Sequence, residues 1–300
     1  MAGTVAGTAG REVSAFPERD LAVRSRRREA GGAGARSLLL TMLGEFALPR
    51  RAPVWTATFV DALAAVGVEE KAARQALART AGEGLLVAER VGRRTRWSLS
   101  PRATRLLEDG TARIYGFMRG GRPWDGRWLV LAVTVPESRR QLRHRLRVRL
   151  TWAGMGSPAQ GLWVVPDAGK IDEVTGIVAD LGIAASVMSW VGTSAAVGDP
   201  QAVVRAAWRL DQVEAAYHDF VAAFSGRVVT DLGSAFRAQV ELVQAWRRFP
   251  FVDPALPAEL LEHDWPGVAA AATFHERHDA WRRRADAHWD ALCAGAEQRA

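Results

Sequence analysis

Residues 69–99 read EEKAARQALARTAGEGLLVAERVGRRTRWSL. A short alanine-rich helix runs into glycines at 82 and 84, and two strand-type runs, LLVAER and TRWSLS, close around VGRR. Six arginines and Lys71 stand on this small unit, with Glu83 and Glu89 the only acids after Glu70. On a wheel at 100° per residue, Lys71, Arg74, Gln75, Ala78 and Arg79 fall within one arc of about 140°. Ala73, Ala76, Leu77 and Thr80 fall opposite. The apolar side suits packing on a preceding helix. The polar side presents cations and an amide, the groups that pair with base edges and phosphates in a major groove. Glu69 and Glu70 belong to the first turn, where the helix dipole favours acid.

The hairpin adds a second cationic surface, because Arg93, Arg94 and Arg96 lie at or beside its tip. From Lys71 to Arg105 there are nine basic residues against two acids. Such an excess on one unit is the electrostatic footprint of duplex binding. The competing account is a merely solvated face in an arginine-rich chain, where Lys71 and Lys170 are the only lysines. Three coinciding features stand against it: the order of elements, the clean polar arc, and the basic hairpin that follows at once.

Upstream, ARSLLLTMLGEF reads as a helix, LPRRAPVW as a loop broken by Pro49 and Pro53, and TATFVDALAAVG as a second helix opened by Thr56 and closed at Gly67. Three helices followed by a hairpin is the order of a winged helix-turn-helix domain, expected over 35–112. Residues 1–34 mix Gly, Ala and Ser with charge and end in RSRRREAGGAG, which reads as a disordered basic tail.

Downstream, RWLVLAVTVP reads as a strand, ESRRQLRHRLRVRLTWAG as a basic helix, GSPAQGLWVVPD as a strand, KIDEVTGIVADLG as a helix and IAASVMSWVG as a strand. This order over 122–196 predicts a ferredoxin-like α/β domain with one strand missing or rearranged. Residues 200–294 read as helical: QAVVRAAWRLDQVEAAYHDFVAAFSG as one long helix, SAFRAQVELVQAWRRFP as another ended by Pro250, then one or two final helices. The fold class is α+β, with the winged, ferredoxin-like and helical parts in that order.

The totals agree with an anion-binding protein. The 300 residues carry a net charge of +7 and are 48% hydrophobic, enough for sizeable cores. One cysteine, Cys293, leaves no disulfide framework and no cysteine-built metal site. The longest apolar run, WLVLAVTV at 128–135, has strand length, and neither a signal core nor a membrane span is visible. A cytoplasmic protein without membrane contact is expected.

The chain resembles PaaX-type transcriptional regulators over about residues 35–290. The first segment is ARSLLLTMLGEFALPR with VWTATFVDALAAVGVEEKAARQALARTAGEGLLVAERVGRRTRWSLSPRA; WDGRWLVLAVTVPESRRQLRHRLRVRLTWAGMGSPAQGLWVVPD and RFPFVDPALPAELLEHDWPG follow. One departure is Glu262, near which the family often has proline. The resemblance implies a homodimeric repressor of catabolic genes, typically of phenylacetate degradation. It would bind a palindromic operator in double-stranded DNA and be released by an aryl-CoA thioester such as phenylacetyl-CoA. It carries DNA contact onto Lys71, Arg74, Gln75, Arg79, Arg93, Arg94 and Arg96, and carries over no effector pocket, catalytic residue, metal or cofactor.

Other constellations read more weakly. The central domain is also similar to the small ferredoxin-like nucleases of CRISPR systems, which place an acid at the end of the first strand. Here that strand has no Asp, and only Glu137 follows Pro136. His275, Glu276, His278, Asp279 and His288 lack the HExxH spacing of a zinc site. Trp208, Tyr217, Phe220 and Phe224 share a helical face suited to a core or an interface. An aryl-CoA pocket would need arginines beside such aromatics, and Arg205, Arg209, Arg247 and Arg248 are the ones nearby. A protein-binding adaptor using the aromatic helices is the remaining alternative.

Overall fold

The computed structural model describes residues 34–119, 123–195 and 197–299. The basic tail expected over 1–34 therefore lies outside the described residues but for Gly34.

Helix α1 (Ala35–Met42) continues through a π-helical turn, Leu43–Ala47, and a last turn, Leu48–Arg50. Its leucine run makes it an interior helix: Leu38, Leu39, Leu40 and Met42 are all buried. The loop expected next contains a two-residue strand, β1 (Val54–Trp55), before helices α2 (Thr56–Ala65) and α3 (Glu70–Gly82). Strands β2 (Leu86–Val91) and β3 (Arg94–Leu99) form an antiparallel hairpin in the register Leu86↔Leu99 to Val91↔Arg94. Its two-residue turn is Gly92-Arg93, and Gly92 takes φ +61°, as the first position of a type II′ turn requires. β1 pairs with β3, giving the sheet order β1-β3-β2. Helix α4 (Pro101–Gly116) is opened by Ser100, whose side chain accepts from the Ala103 N–H, with Pro101 in the first turn.

The central segment holds β4 (Arg127–Val133), α5 (Arg140–Trp152), β5 (Gly156–Ala159), β6 (Leu162–Val165), α6 (Ile171–Asp180) and β7 (Val187–Thr193). The single strand expected over GSPAQGLWVVPD is a hairpin of two, turned at Gly161 with φ +79°. That supplies the strand which looked missing. The order is βαββαβ, the sheet reads β5-β6-β4-β7, and every pairing is antiparallel. Leu146 and Leu150 of α5 and Val174, Ile177 and Val178 of α6 pack on Leu129, Leu131 and Val133. β7 forms an edge that leaves Met188 69% and Trp190 50% exposed.

The C-terminal segment is helical: α7 (Pro200–Ala207), α8 (Leu210–Phe224), α9 (Leu232–Trp246), a turn at Phe249–Val252, and α10 (Gly267–Gln298). The helix expected from 201 to 226 is thus two helices, broken at Trp208, which is extended at φ −128°, ψ 148°. Tertiary packing makes the break. The Trp208 indole sits against Gly156, where an added Cβ would lie 2.5 Å from it, and its Nε1 donates to the Gly154 carbonyl at 3.3 Å. Tyr217, Phe220 and Phe224 go to the core beside Trp246, Phe249 and Phe274.

The N-terminal and C-terminal segments share one core. Phe236 and Val240 of α9 and Ala285 and Trp289 of α10 pack with Leu39, Leu43, Phe46, Phe59 and Leu77. Trp289 stacks on Phe46 at 5.2 Å and meets Phe59 edge-on at 5.7 Å. No helix among the described residues is long and apolar enough to cross a membrane.

Candidate nucleic-acid interface

Helix α3 divides as its sequence demands. Ala73, Ala76, Leu77 and Thr80 are buried, while Lys71, Arg74, Gln75, Ala78 and Arg79 are exposed. Small residues on the inner face let α3 approach α1 and α2 closely, and Thr80 satisfies its buried hydroxyl by donating to the Ala76 carbonyl at 2.8 Å. Glu70, Lys71, Arg74, Gln75 and Ala78 line a shallow open depression on the outer face. Glu70 accepts from Arg74 Nε at 2.7 Å, one turn away. Such an exposed pair costs little to break, so it orients Arg74 without immobilising it.

The hairpin arginines behave differently from one another. Arg93, at the turn, is exposed and has no partner among the described residues. Arg96 faces Glu89 across the ladder and donates to it twice, Nε at 2.9 Å and Nη2 at 2.6 Å. Those two hydrogen bonds hold the Glu89 carboxyl below its usual range and raise the Arg96 guanidinium. Arg94 turns inward: its guanidinium carbon lies 4.4 Å from the centre of the Trp55 ring, and Nη2 donates to the Ala296 carbonyl at 2.5 Å. Of the seven expected DNA-contacting residues, Lys71, Arg74, Gln75, Arg79 and Arg93 are thus presented to solvent. Arg94 and Arg96 are engaged within the protein.

A feature absent from the sequence reading lies behind this surface. Glu45, in the π-helical turn, is a buried carboxylate shared by four helices. Gln239 Nε2 donates to its Oε1 at 2.8 Å, and His278 Nε2 lies 2.7 Å from the same oxygen. Tyr115 donates its hydroxyl proton to Oε2. Burial pushes this carboxyl up, but the His278 hydrogen bond and charge, with the hydrogen bonds from Tyr115 and Gln239, outweigh it and leave it below the ordinary glutamate value. An ionised carboxylate only accepts, so His278 carries its proton on Nε2. The signal in the sequence was a lone acid inside the apolar run LLLTMLGEFAL. Insertions of this kind into an α-helix recur at functional sites.

The remaining expected groups have structural partners. His278 is held by Glu45, and His275 lies 3.0 Å from Arg119. Glu137 pairs with Arg143 at 2.7 Å. Of the arginines considered for an acyl-CoA, Arg247 donates to the Thr41 hydroxyl at 2.9 Å and so ties the C-terminal cap of α9 to α1. Arg205 pairs with Asp199 at 2.8 Å, Arg209 approaches Asp211 at 3.7 Å, and Arg248 lies over the Phe249 ring at 5.3 Å.

Comparisons with known proteins bear on most of the chain. Residues 34–103 match the family model described as PaaX-like protein, 121–204 the PaaX protein central Cas2-like domain, and 208–291 the PaaX-like protein C-terminal domain. The chain is 29% identical over 246 residues to the transcriptional repressor PaaX of Escherichia coli (strain K12), covering 78% of this chain and 76% of that protein. It also resembles the solved structure of the uncharacterized protein Rv0674 from Mycobacterium tuberculosis, with a TM-score of 0.61 and 27% identity over 84% of this chain and 97% of that one. Three models of one family, met in order along the chain, make this protein a member of the PaaX family.

Proposed function

We propose that the protein is a sequence-specific DNA-binding transcriptional regulator that acts as a homodimeric repressor. In this reading α1, α2, α3 and the β2–β3 hairpin form a winged helix-turn-helix unit, with α3 as the helix that enters the major groove. The βαββαβ segment is a ferredoxin-like module between it and the C-terminal helices. One observation carries the proposal: α3 buries its four small or apolar residues and leaves Lys71, Arg74, Gln75 and Arg79 exposed on the opposite face. Arg74 and Gln75 offer the donors and the amide that discriminate guanine and adenine edges. Lys71, Arg79 and Arg93 supply phosphate contacts. The repressor named among the relatives supports the regulatory role.

A dimer on a palindromic operator would set two copies of α3 about 34 Å apart on successive major grooves. The β7 edge supports self-association: VMSWVGT carries no charge and exposes Met188 and Trp190, whereas the protein as a whole is at +7. The effector that the family resemblance implies is an acyl-CoA thioester, and the regulated genes would be catabolic.

Selection of bound fragments from a genomic library, followed by gel shift and light scattering, tests the reading. A recurrent two-fold site bound by a dimer, and released by phenylacetyl-CoA or a related thioester, is the expected outcome. Equal affinity for all duplexes at physiological salt would overturn it.

A further inference from the structure

Helix α5 carries more positive charge than its surroundings neutralise. From Arg139 to Trp152 there are six arginines and no acid. Leu146 and Leu150 are buried and Leu142 is half-buried, so one stripe of the helix is fixed against the sheet. The two arginines flanking that stripe are paired, Arg143 with Glu137 at 2.7 Å and Arg149 with Asp180 at 2.6 Å. Glu137 also lies 3.6 Å from Arg140, whose side chain remains 86% exposed. Arg139, Arg145 and Arg147 are exposed and have no acid partner among the described residues.

At 100° per residue, the solvent-facing arc from Arg147 through Arg140 and His144 to Arg145 covers about 160° and includes no acid. Arg140 and Arg147 stand about 10 Å apart along the axis. Three cations and a histidine are thus displayed on one face, with Asp180 held by Arg149, Glu137 held most closely by Arg143, and only the longer 3.6 Å contact from Glu137 to Arg140 reaching the outer set.

We propose that this outer face of α5 is a second, sequence-independent contact for duplex phosphates, engaging DNA that flanks the operator. The proposal rests on the DNA-binding reading above. Charge complementarity selects a polyanion, and the distribution of apolar residues selects among polyanions. A helix that lies on a membrane needs an apolar face beside its cations. In α5 the leucine stripe is committed to the core, and the outer arc keeps only Val148 and the half-buried Trp152, which packs edge-on against Phe251, too little for a continuous apolar face.

The test uses the full chain with Arg140, Arg145 and Arg147 all changed to alanine, its fold checked by circular dichroism. Two duplexes carry one selected operator, the first only just spanning it and the second extended by about one helical turn on each side. Binding is measured as a function of salt. Each phosphate contact adds about 0.9 to the slope of log affinity against log salt. The unaltered dimer, with three such arginines on each protomer, should gain affinity and about 5 in slope on the longer duplex; the triple variant should lose that gain and match it on the shorter one. A variant that keeps the length-dependent gain would overturn the proposal while leaving the DNA-binding reading intact. A variant that loses binding to phosphatidylglycerol vesicles but not to the long duplex would overturn it in favour of a membrane surface. Failure of the unaltered protein to bind either duplex at low salt would remove both readings together.

Discussion

Arg94 Nη2 donates to the main-chain oxygen of Ala296, 202 residues away, at 2.5 Å. Ala296 lies in the last turn of α10, where carbonyls have no partner within the helix and the dipole favours a cation. The arginine therefore closes the end of the C-terminal helix while anchoring the hairpin, with Trp55 beneath its guanidinium. The bond ties the end of α10 to β3, the strand beside the surface proposed to contact DNA.

Arg93 is exposed at the turn while its neighbour Arg94 is engaged inside the protein, and this separates two substitutions. Arg94→Ala removes a charge-assisted hydrogen bond and a ring contact, so it should lower stability by about 1.5–3 kcal/mol. Thermal denaturation will show the loss without DNA present. Arg93→Ala should leave the melting temperature unchanged and reduce the salt slope of operator binding by about 2 for the dimer, one contact per protomer, roughly evenly across sequences. Equal melting temperatures for both variants would show that the tie to Ala296 contributes nothing.

The outer face of α3 makes the sequence-dependent prediction. Arg74→Ala and Gln75→Ala should each cost about 1–3 kcal/mol on the selected operator and little on unrelated DNA, flattening the preference at one base position. Lys71→Ala should weaken binding to both alike. Binding-site selection with each variant distinguishes the cases, and a profile unchanged by either substitution would take base recognition away from this helix.

Much of this architecture is legible in the sequence because it follows from local periodicity. The buried set Ala73, Ala76, Leu77 and Thr80 is fixed by a repeat of 3.6 residues, and each of the four is buried. The partners of Arg94 and Arg96 are not legible in the same way. A basic hairpin looks alike whether its arginines meet phosphate, a cross-strand glutamate or a helix terminus, and the chain folds Ala296 beside Arg94 only through the α10 packing. Glu45 was visible as an acid in a leucine run, but its partners Tyr115, Gln239 and His278 stand 70, 194 and 233 residues away. The break at Trp208 has no proline or glycine beside it to announce it, because a distant glycine at 156 makes room for the ring.

That glycine gives a packing prediction. A Cβ at position 156 would lie 2.5 Å from the Trp208 ring and 2.7 Å from the Ala207 Cβ, both part of the rigid junction between α7 and α8. Gly156→Ala should therefore destabilise the protein by about 1–3 kcal/mol through overpacking. Its tryptophan emission should shift as the Trp208 indole leaves Gly156. Restoration of stability by Trp208→Leu in the same chain would tie the cost to this contact; a Gly156→Ala protein as stable as the original would deny it.

Glu45 yields a prediction with a definite sign in pH. Its folded-state carboxyl is held below the ordinary value near 4.3 because His278, Tyr115 and Gln239 favour the ionised form more than burial opposes it. A depressed carboxyl contributes stability that is present above the unfolded value and lost as pH falls through the folded one. Glu45→Gln keeps the size of the side chain but leaves the Tyr115 hydroxyl and the His278 Nε2–H facing an amide that cannot match the carboxylate. At neutral pH this variant should be less stable by about 3–5 kcal/mol, the usual cost of removing one partner from a buried charged network. The gap should narrow as the solution is taken below about pH 4, where the unaltered protein also loses the charge. Denaturant titrations of both proteins across that range measure it directly. A gap constant with pH would mean that the carboxylate is not ionised in the folded state, and the network joining α1 to α4, α9 and α10 would then have to be held by the Tyr115 and Gln239 hydrogen bonds alone.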